Sequence, residues 1–318
     1  MALSDIQIDF MGRRKFATLI SLILLIGSIA SLSINGLKFG LDFTGGTLIE
    51  VEYDTVPELS DIRKQLDAAE YKNVVVQTFG KPNDVLIRMQ SDKPGLGEEV
   101  LEALESGSDS HIVLRRTEYV GPQVGEELRE RGGLGMLFAL LVVMAYVAVR
   151  FQYKFSVGAV FALAHDVIIV LGFFSLLQLD FDLTVLGAIL AVIGYSLNDT
   201  IVVSDRIREN FRIVRIDSSI DIINQSLNET LGRTLMTSLT TLLVLLALYI
   251  FGGTSLEGFS LALLVGVVIG TYSSVYVAGT MLLAQNITRE DMIPPPKPET
   301  EEGEIEGDYE EPRPEDFR

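Results

Sequence analysis

The chain has 318 residues, 48% of them hydrophobic, with a mean hydropathy of +0.35. It has no Cys and only two His, His111 and His165, which excludes disulfides and thiolate metal centres and argues against a His-based metal site. A net charge of −18 argues against nucleic acid as a partner, but the basic residues are placed unevenly, as in membrane proteins.

Residues 1–15 read as a cytoplasmic N-terminus ending in Arg13, Arg14 and Lys15. The apolar run 16–35 follows. A secretory signal core is only roughly 7–15 residues long. This run is longer and further spans follow it, so it is read as an uncleaved anchor and the first transmembrane helix.

Residues 36–131 read as a small domain outside the membrane. "GTLIEVEY" (46–53) alternates as a strand does, and "ELSDIRKQLDAAE" (58–70) spaces Leu59, Ile62, Leu66 and Ala69 as a helix does. "NVVVQTF" and "DVLIRMQ" predict strands around a "GKPN" turn. "GEEVLEALES" predicts a helix and "HIVLRRTEYV" a last strand. The order β-α-β-β-α-β is the ferredoxin-like arrangement. No catalytic constellation appears in it, and His111 reads as a surface or edge residue. Such a domain binds a partner more often than it catalyses, and no enzyme activity is expected of the chain.

Five more runs reach spanning length, at 133–150, 155–178, 183–203, 234–252 and 259–284, forming with their connections a unit at 133–285. The fold class expected is a polytopic α-helical membrane protein of six transmembrane helices, with the ferredoxin-like α+β domain between spans one and two. Arg150 and Lys154, then Arg206, Arg208, Arg212 and Arg215, then Arg289 fall on the side of Arg13, Arg14 and Lys15; the loops 178–182 and 251–258 have no Lys or Arg. Basic loops stay cytoplasmic. Both termini are therefore expected in the cytoplasm and 36–131 outside it.

Residues 204–230 read as a cytoplasmic segment. There "SDRIRENFRIVR" prolongs span four, and Ile220, Ile223 and Leu227 are spaced for a helix lying on the membrane surface. Residues 286–318, an acidic, Pro-rich tail, are expected to be disordered in the cytoplasm. No Walker A motif occurs, so ATP is not the expected energy source.

Polar residues inside the spans carry the functional signal. In span four, Gly187, Ala191, Gly194 and Asn198 form a small-residue face open to a close helix approach. Asp199 lies beside that face, one turn after Tyr195. A charged Asp at mid-membrane costs roughly 2.5–3.5 kcal/mol on insertion scales, so such residues are rarely idle. In span five, Arg233, Thr237 and Thr240 share one face, expected to look into the bundle. Two readings stand for Arg233: pairing with Asp199, or snorkelling to the headgroups. In span three, His165 and Asp166 are either proton-relay members or packing residues. Gly266 and Gly270 form a GxxxG pair in span six, followed by Ser274 and Ala278, all read as packing.

The stretches "FGLDFTGGTLIEV" (39–51), "ALAHDVII" (162–169), "GYSLNDTIVVSDRIREN" (194–210), "RTLMTSLTTLLVLLALYIFGG" (233–253) and "LEGFSLALLVGVVIGTYSSVYVA" (256–278) closely resemble the SecF family of bacterial protein-export membrane proteins. The resemblance runs from span one through span six. It implies a place in the resistance–nodulation–division superfamily and in the bacterial cytoplasmic (inner) membrane. It implies a subunit that works with SecD beside the SecYEG translocon and uses the proton-motive force to assist translocation of a preprotein, with YajC a further candidate partner. It carries no cofactor. It assigns proton conduction to Asp199 and Arg233, with Asn198, Tyr195, His165, Asp166 and Thr237 as supporting polar candidates. Two other readings are a passive scaffold of the translocon and a proton-driven small-molecule exporter. The exporter is disfavoured because the chain has half the usual twelve spans.

Overall fold

A computed structural model describes residues 7–72, 74–91, 93, 95–107, 110–214 and 218–292. After a 3-10 turn at Met11–Arg13, α1 (Arg14–Ile34) carries no charge beyond Lys15. A two-residue strand β1 (Lys38–Phe39) and a single turn α2 (Leu41–Thr44) lead into β2 (Gly46–Tyr53), α3 (Leu59–Ala68), β3 (Val75–Phe79), β4 (Lys81–Met89), α4 (Leu96–Ser106) and β5 (Ile112–Val120). There follow α5 (Pro122–Arg150), α6 (Tyr153–Leu177), β6 (Asp180–Phe181), α7 (Leu183–Ile213), α8 (Ser219–Phe251) and α9 (Glu257–Ala284). Six of these helices, α1 and α5 to α9, are long and apolar enough to cross a membrane.

The domain between the first two long helices is a four-stranded antiparallel sheet of order β3–β4–β2–β5. With two crossover helices, that is the ferredoxin-like fold. In β2 every second side chain is buried, Thr47, Ile49, Val51 and Tyr53, while Leu48, Glu50 and Glu52 are half-exposed between them. The buried set meets Ile62 and Leu66 of α3 and Leu96, Val100 and Leu104 of α4 in one core. The hairpin between β3 and β4 is tighter than a "GKPN" turn: Phe79 pairs with Lys81 around Gly80, whose φ is 75°. Only glycine takes that conformation freely, so the reversal is completed at Gly80 and Lys-Pro-Asn joins β4. The "GG" that opens β2 has a similar cause. Gly46 has φ 121°, and a Cβ there would sit 2.5 Å from the Met89 carbonyl oxygen.

In the helical part, α6, α7 and α9 form the centre, with 56%, 50% and 50% of their apolar stretches buried against 6% for α5. Gly266 and Gly270 bring α9 close to α7: an added Cβ would lie 2.1 Å from Val192 Cγ2 at the first and 3.1 Å from Ser196 Cβ at the second. The domain and the bundle meet at the start of α7. Asp182 caps that helix, accepting from Val185 N at 2.8 Å, and Asp42 accepts from Leu183 N at 3.0 Å. β1 pairs in parallel with β6. Asp180 accepts from Arg88 of β4 at 3.2 Å and forms an ion pair with Lys38 at 2.8 Å.

The helices overrun the expected spans at several points. α5 starts at Pro122 rather than 133, because Pro suits the first turn of a helix and Glu127 and Arg131 pair one turn apart along its polar start. No separate surface helix occupies the expected cytoplasmic segment. Residues 219–251 form one helix, and Ile223 and Leu227 pack into the main core instead of facing lipid. Residues 286–292 are folded: Ile287 and Met292 are buried, and Asp291 pairs with Lys154 at 2.7 Å. The acidic stretch 293–318 lies outside the described residues, as does Arg215.

Candidate functional site

Four buried hydroxyls converge on two carboxylates in the middle of the bundle. α7 presents Ser196 and Asp199 three residues apart, on the face toward α6, α8 and α9. Asp199 is 6% exposed and accepts from Thr234 Oγ1 of α8 at 2.9 Å and from Ser274 Oγ of α9 at 2.8 Å. Asp166 of α6 is fully buried and accepts on one oxygen from Ser196 at 2.5 Å and from Ser273 at 2.7 Å. Its other oxygen lies 2.9 Å from His165 Nδ1. A third chain links the same helices: Tyr195 donates to Ser238 of α8 at 3.1 Å, and Ser238 lies 2.6 Å from Thr271 of α9.

Interhelical hydrogen bonds in membranes average about 0.6 kcal/mol each. The network therefore contributes register more than bulk stability. Its cost would come from breaking it, since a buried carboxylate short of donors is expensive.

The structure brings Asp199, Tyr195, His165 and Asp166 into the interior. It does not bring Arg233, Thr237 or Asn198 there: all three are exposed. The expected polar stripe of α8 is thus corrected by one position. The inward stripe is Ser226, Thr230, Thr234 and Ser238, all buried at four-residue spacing. Successive helical residues lie about 100° apart, so placing Thr234 on Asp199 turns Arg233 away from it. Among the described residues no ion pair joins Arg233 to Asp199. Thr237 and Thr240 are satisfied locally, donating to the carbonyls of Arg233 and Met236 at 3.1 and 2.8 Å.

Among the described residues nothing covers the small-residue face of α7. Gly187, Ala191, Gly194 and Asn198 are exposed, and a Cβ at either glycine would meet nothing within 4 Å. Arg233 and Thr237 are exposed on α8, the helix packed against α7. The residues that sequence reasoning missed are Ser196, Ser273, Thr234, Ser238 and Thr271; Ser274 was seen only as a packing residue. The four-residue period of Ser226, Thr230, Thr234 and Ser238 was the available signal. Nothing local marks Ser196 or Ser273.

Residues 100–287 match the family described as protein export membrane protein SecD/SecF, C-terminal, and residues 30–55 match the SecD/SecF GG motif. The chain is 53% identical to the protein translocase subunit SecF of Pseudomonas aeruginosa over 92% of its length and 96% of that protein's. It is 46% identical to that of Escherichia coli O157:H7 over 90% of each. The crystal structure of SecDF, a translocon-associated membrane protein from Thermus thermophilus, superposes with a TM-score of 0.83 at 37% identity, covering 90% of this chain. A SecDF crystal structure in a super-membrane-facing form superposes less closely, with a TM-score of 0.66 at the same identity. The chain spans about 40% of the length of that SecDF chain.

Proposed function

The chain belongs to the SecF family of protein translocase subunits, and on that premise we propose that it is the SecF half of a SecD–SecF complex that uses the proton-motive force to assist protein translocation through SecYEG. In this reading it is a multi-pass protein of the bacterial cytoplasmic membrane with both termini in the cytoplasm and the ferredoxin-like domain outside. Asp199 is the proton carrier.

The observation that carries the reading is a buried carboxylate whose two donors come from two other helices, Thr234 on α8 and Ser274 on α9. Ionised, Asp199 holds three helices together. A proton arriving from outside removes its charge and turns an acceptor into a donor, which weakens that hold. α7 is then free to shift against α8 and α9. Its far end is tied to the outer domain through Asp42 and Asp180, so a shift of α7 is passed to the domain that holds or releases the emerging preprotein. One charge crossing 100 mV releases about 2.3 kcal/mol, enough to move a two-state equilibrium about forty-fold. The difference in fit between the two SecDF structures supports a family whose parts move against each other.

SecD is the partner we assign to the empty face of α7 and the exposed stripe of α8. An exposed Asn beside an exposed Arg at the end of span five is a polar surface that a protein partner satisfies better than lipid. A second set of helices would cover both and give Arg233 its role beside Asp199. SecYEG, the preprotein, membrane lipid and YajC complete the expected set.

The test is proton flux in vesicles carrying the complex with SecD. Asp199→Asn keeps size and, like protonation, replaces one acceptor by a donor, but it carries no proton. It is expected to assemble and to lose proton flux and proton-dependent export. Normal flux and export would remove the carrier role and leave the scaffold reading.

A further inference from the structure

Asp199 is not the most deeply buried carboxylate of the bundle. Asp166 is fully buried, and His165 beside it is 2% exposed. The hydrogen bond between Nδ1 and Oδ1 holds one proton. The other imidazole nitrogen, Nε2, is buried with no hydrogen-bond partner among the described residues. The ring is stacked against Tyr272 of α9 at 6.3 Å between centroids and 27° between planes. That tyrosine cannot serve Nε2, because its hydroxyl is committed to the Ala17 carbonyl at 2.6 Å, with Ser21 3.0 Å away on the same helix α1.

The two carboxylates are joined through one dipeptide. Ser273 donates to Asp166 and Ser274 to Asp199. α7 also touches both, through Ser196 and through Asp199 itself. Any rotation of α9 that relieves one carboxylate disturbs the donor to the other.

We propose that the His165–Asp166 dyad is a second proton-holding site of the bundle, coupled to Asp199 through the adjacent hydroxyls of Ser273 and Ser274. The ligand is a proton. It bonds to the lone pair of Nε2 while Nδ1 keeps its hydrogen bond to Asp166. The dyad passes from one net negative charge to none, and no other bond breaks. Two anions held in one low-dielectric interior repel, so a proton taken at one site lowers the cost of the charge at the other. Asp166 acts as a positioning residue, fixing the ring through Nδ1.

Few other ionisable groups face the dyad. On α9 they are Tyr272 and, behind it, Tyr276; on α7 they are Tyr195 and Asp199. α1 has none after Lys15, and the only one of α5 between Arg131 and Arg150, Tyr146, is exposed. The coupling half of the proposal rests on Asp199 as a proton carrier; proton uptake by the dyad does not.

The chain has only two histidines. His111→Gln, a change in the exposed edge of the outer domain, leaves His165 as the only imidazole. Nitrogen-15 imidazole NMR of that full-length protein, labelled alone and assembled with unlabelled SecD in bilayers, then reports one ring. A bare Nε2 at alkaline pH that gains a proton on acidification is the expected result. Asp166→Asn should lower the proton affinity of Nε2 about tenfold or more, and Asp166→Glu should restore most of it. Asp199→Asn, and separately Ser273→Ala with Ser274→Ala, should each displace the titration. A ring that never titrates between pH 5 and 9, a range chosen to bracket imidazole at about 6.5, overturns the site. A ring that titrates identically with Asp199 and with Asn at that position overturns the coupling. Either failure can coexist with loss of proton flux in Asp199→Asn, so it is distinguishable from failure of the carrier reading. A role in packing alone would move none of these titrations.

Discussion

Thr234 Oγ1 stands 2.9 Å from Asp199 Oδ1, and it is this hydroxyl, not the guanidinium of the preceding residue, that meets the carboxylate within the chain. The consequence is measurable. Thr234→Val keeps shape and removes the donor. It should lower the stability of the chain in detergent by between about 0.6 kcal/mol, the membrane average, and about 3 kcal/mol, the upper value for a bond to a charged group. Arg233→Gln should change it by no more than about 0.5 kcal/mol, as exposed substitutions do. Denaturant titration of both variants without SecD decides. A larger loss from Arg233→Gln would make the arginine the partner of Asp199 within this chain.

A second expectation concerns the segment before α1. Asp9 accepts from the Gly12 amide at 2.8 Å and from Asn224 Nδ2 of α8 at 2.7 Å, and these bonds, with Arg13 and Arg14 nearby, hold its carboxyl below the usual range. Asn224 also accepts from Phe10 N at 2.8 Å, and Asn228 from Ile8 N at 2.7 Å. A carboxyl depressed in the folded state stabilises above its unfolded value, about 3.9, and that contribution fades as pH falls through the folded value. The hook should therefore be intact at neutral pH and loosen in acid. Hydrogen-exchange protection of the Gly12 amide should fall below the ordinary carboxylate range, and Asp9→Asn should flatten that dependence. Unchanged protection in acid would mean that the asparagines alone hold the segment.

The outer domain should fold by itself. Every member of its buried core lies between Ile49 and Ile112, so none is borrowed from the bundle. Residues 46–120 expressed alone should give a soluble mixed α/β spectrum and a single unfolding transition. Leu66→Ala, at a fully buried site, should cost about 2–5 kcal/mol. A chain without strand signal would show that the domain depends on the joint at β1 and β6.

How much of this was legible follows from how far each signal reaches along the chain. Six long apolar runs and the alternation of Thr47, Ile49, Val51 and Tyr53 are local patterns, and the fold class followed from them. The strands at Lys38–Phe39 and Asp180–Phe181 are two residues long and exist only because they pair with each other across the fold. The stripe of α8 was ambiguous by construction. Thr234 and Ser238 lie next to Arg233 and Thr237, and both sets repeat every four residues. Only the position of Asp199 on the neighbouring helix selects between them. Ile223 and Leu227 failed as a surface helix for a related reason: an apolar stripe looks the same whether lipid or protein covers it. Asp199 and Asp166 stood out because a carboxylate in an apolar run is conspicuous, whereas the serines that serve them are common in any span.

The glycines of α7 and α9 separate what holds this chain together from what a partner would cover. Gly266 faces Val192, and a methyl there would sit 2.1 Å from Cγ2, far inside contact distance. Gly266→Ala must push α9 away from α7 or force a side chain off its rotamer. Overpacking of that kind costs about 1–3 kcal/mol, and it would strain the hydroxyls that reach Asp166 and Asp199 from the same helix. Gly194 is the opposite case. It lies on α7 four residues before Asn198, with nothing within 4 Å of its added Cβ. Gly194→Ala should leave the isolated chain as stable as the parent or slightly more so, since Gly in a helix interior costs roughly 0.5–1 kcal/mol relative to Ala. Its effect should appear only on assembly, because small residues are what let helices of two chains approach closely. Gly194→Leu would enlarge that effect, since its side chain starts in open space. Two measurements therefore go together: denaturant stability of the isolated chain, and copurification with SecD at matched expression. The expected pattern is a stability loss for Gly266→Ala, and for Gly194→Leu normal stability with loss of SecD. If Gly194→Leu copurifies with SecD as the parent does, the empty face of α7 meets lipid, and the partner must cover Arg233 from another side.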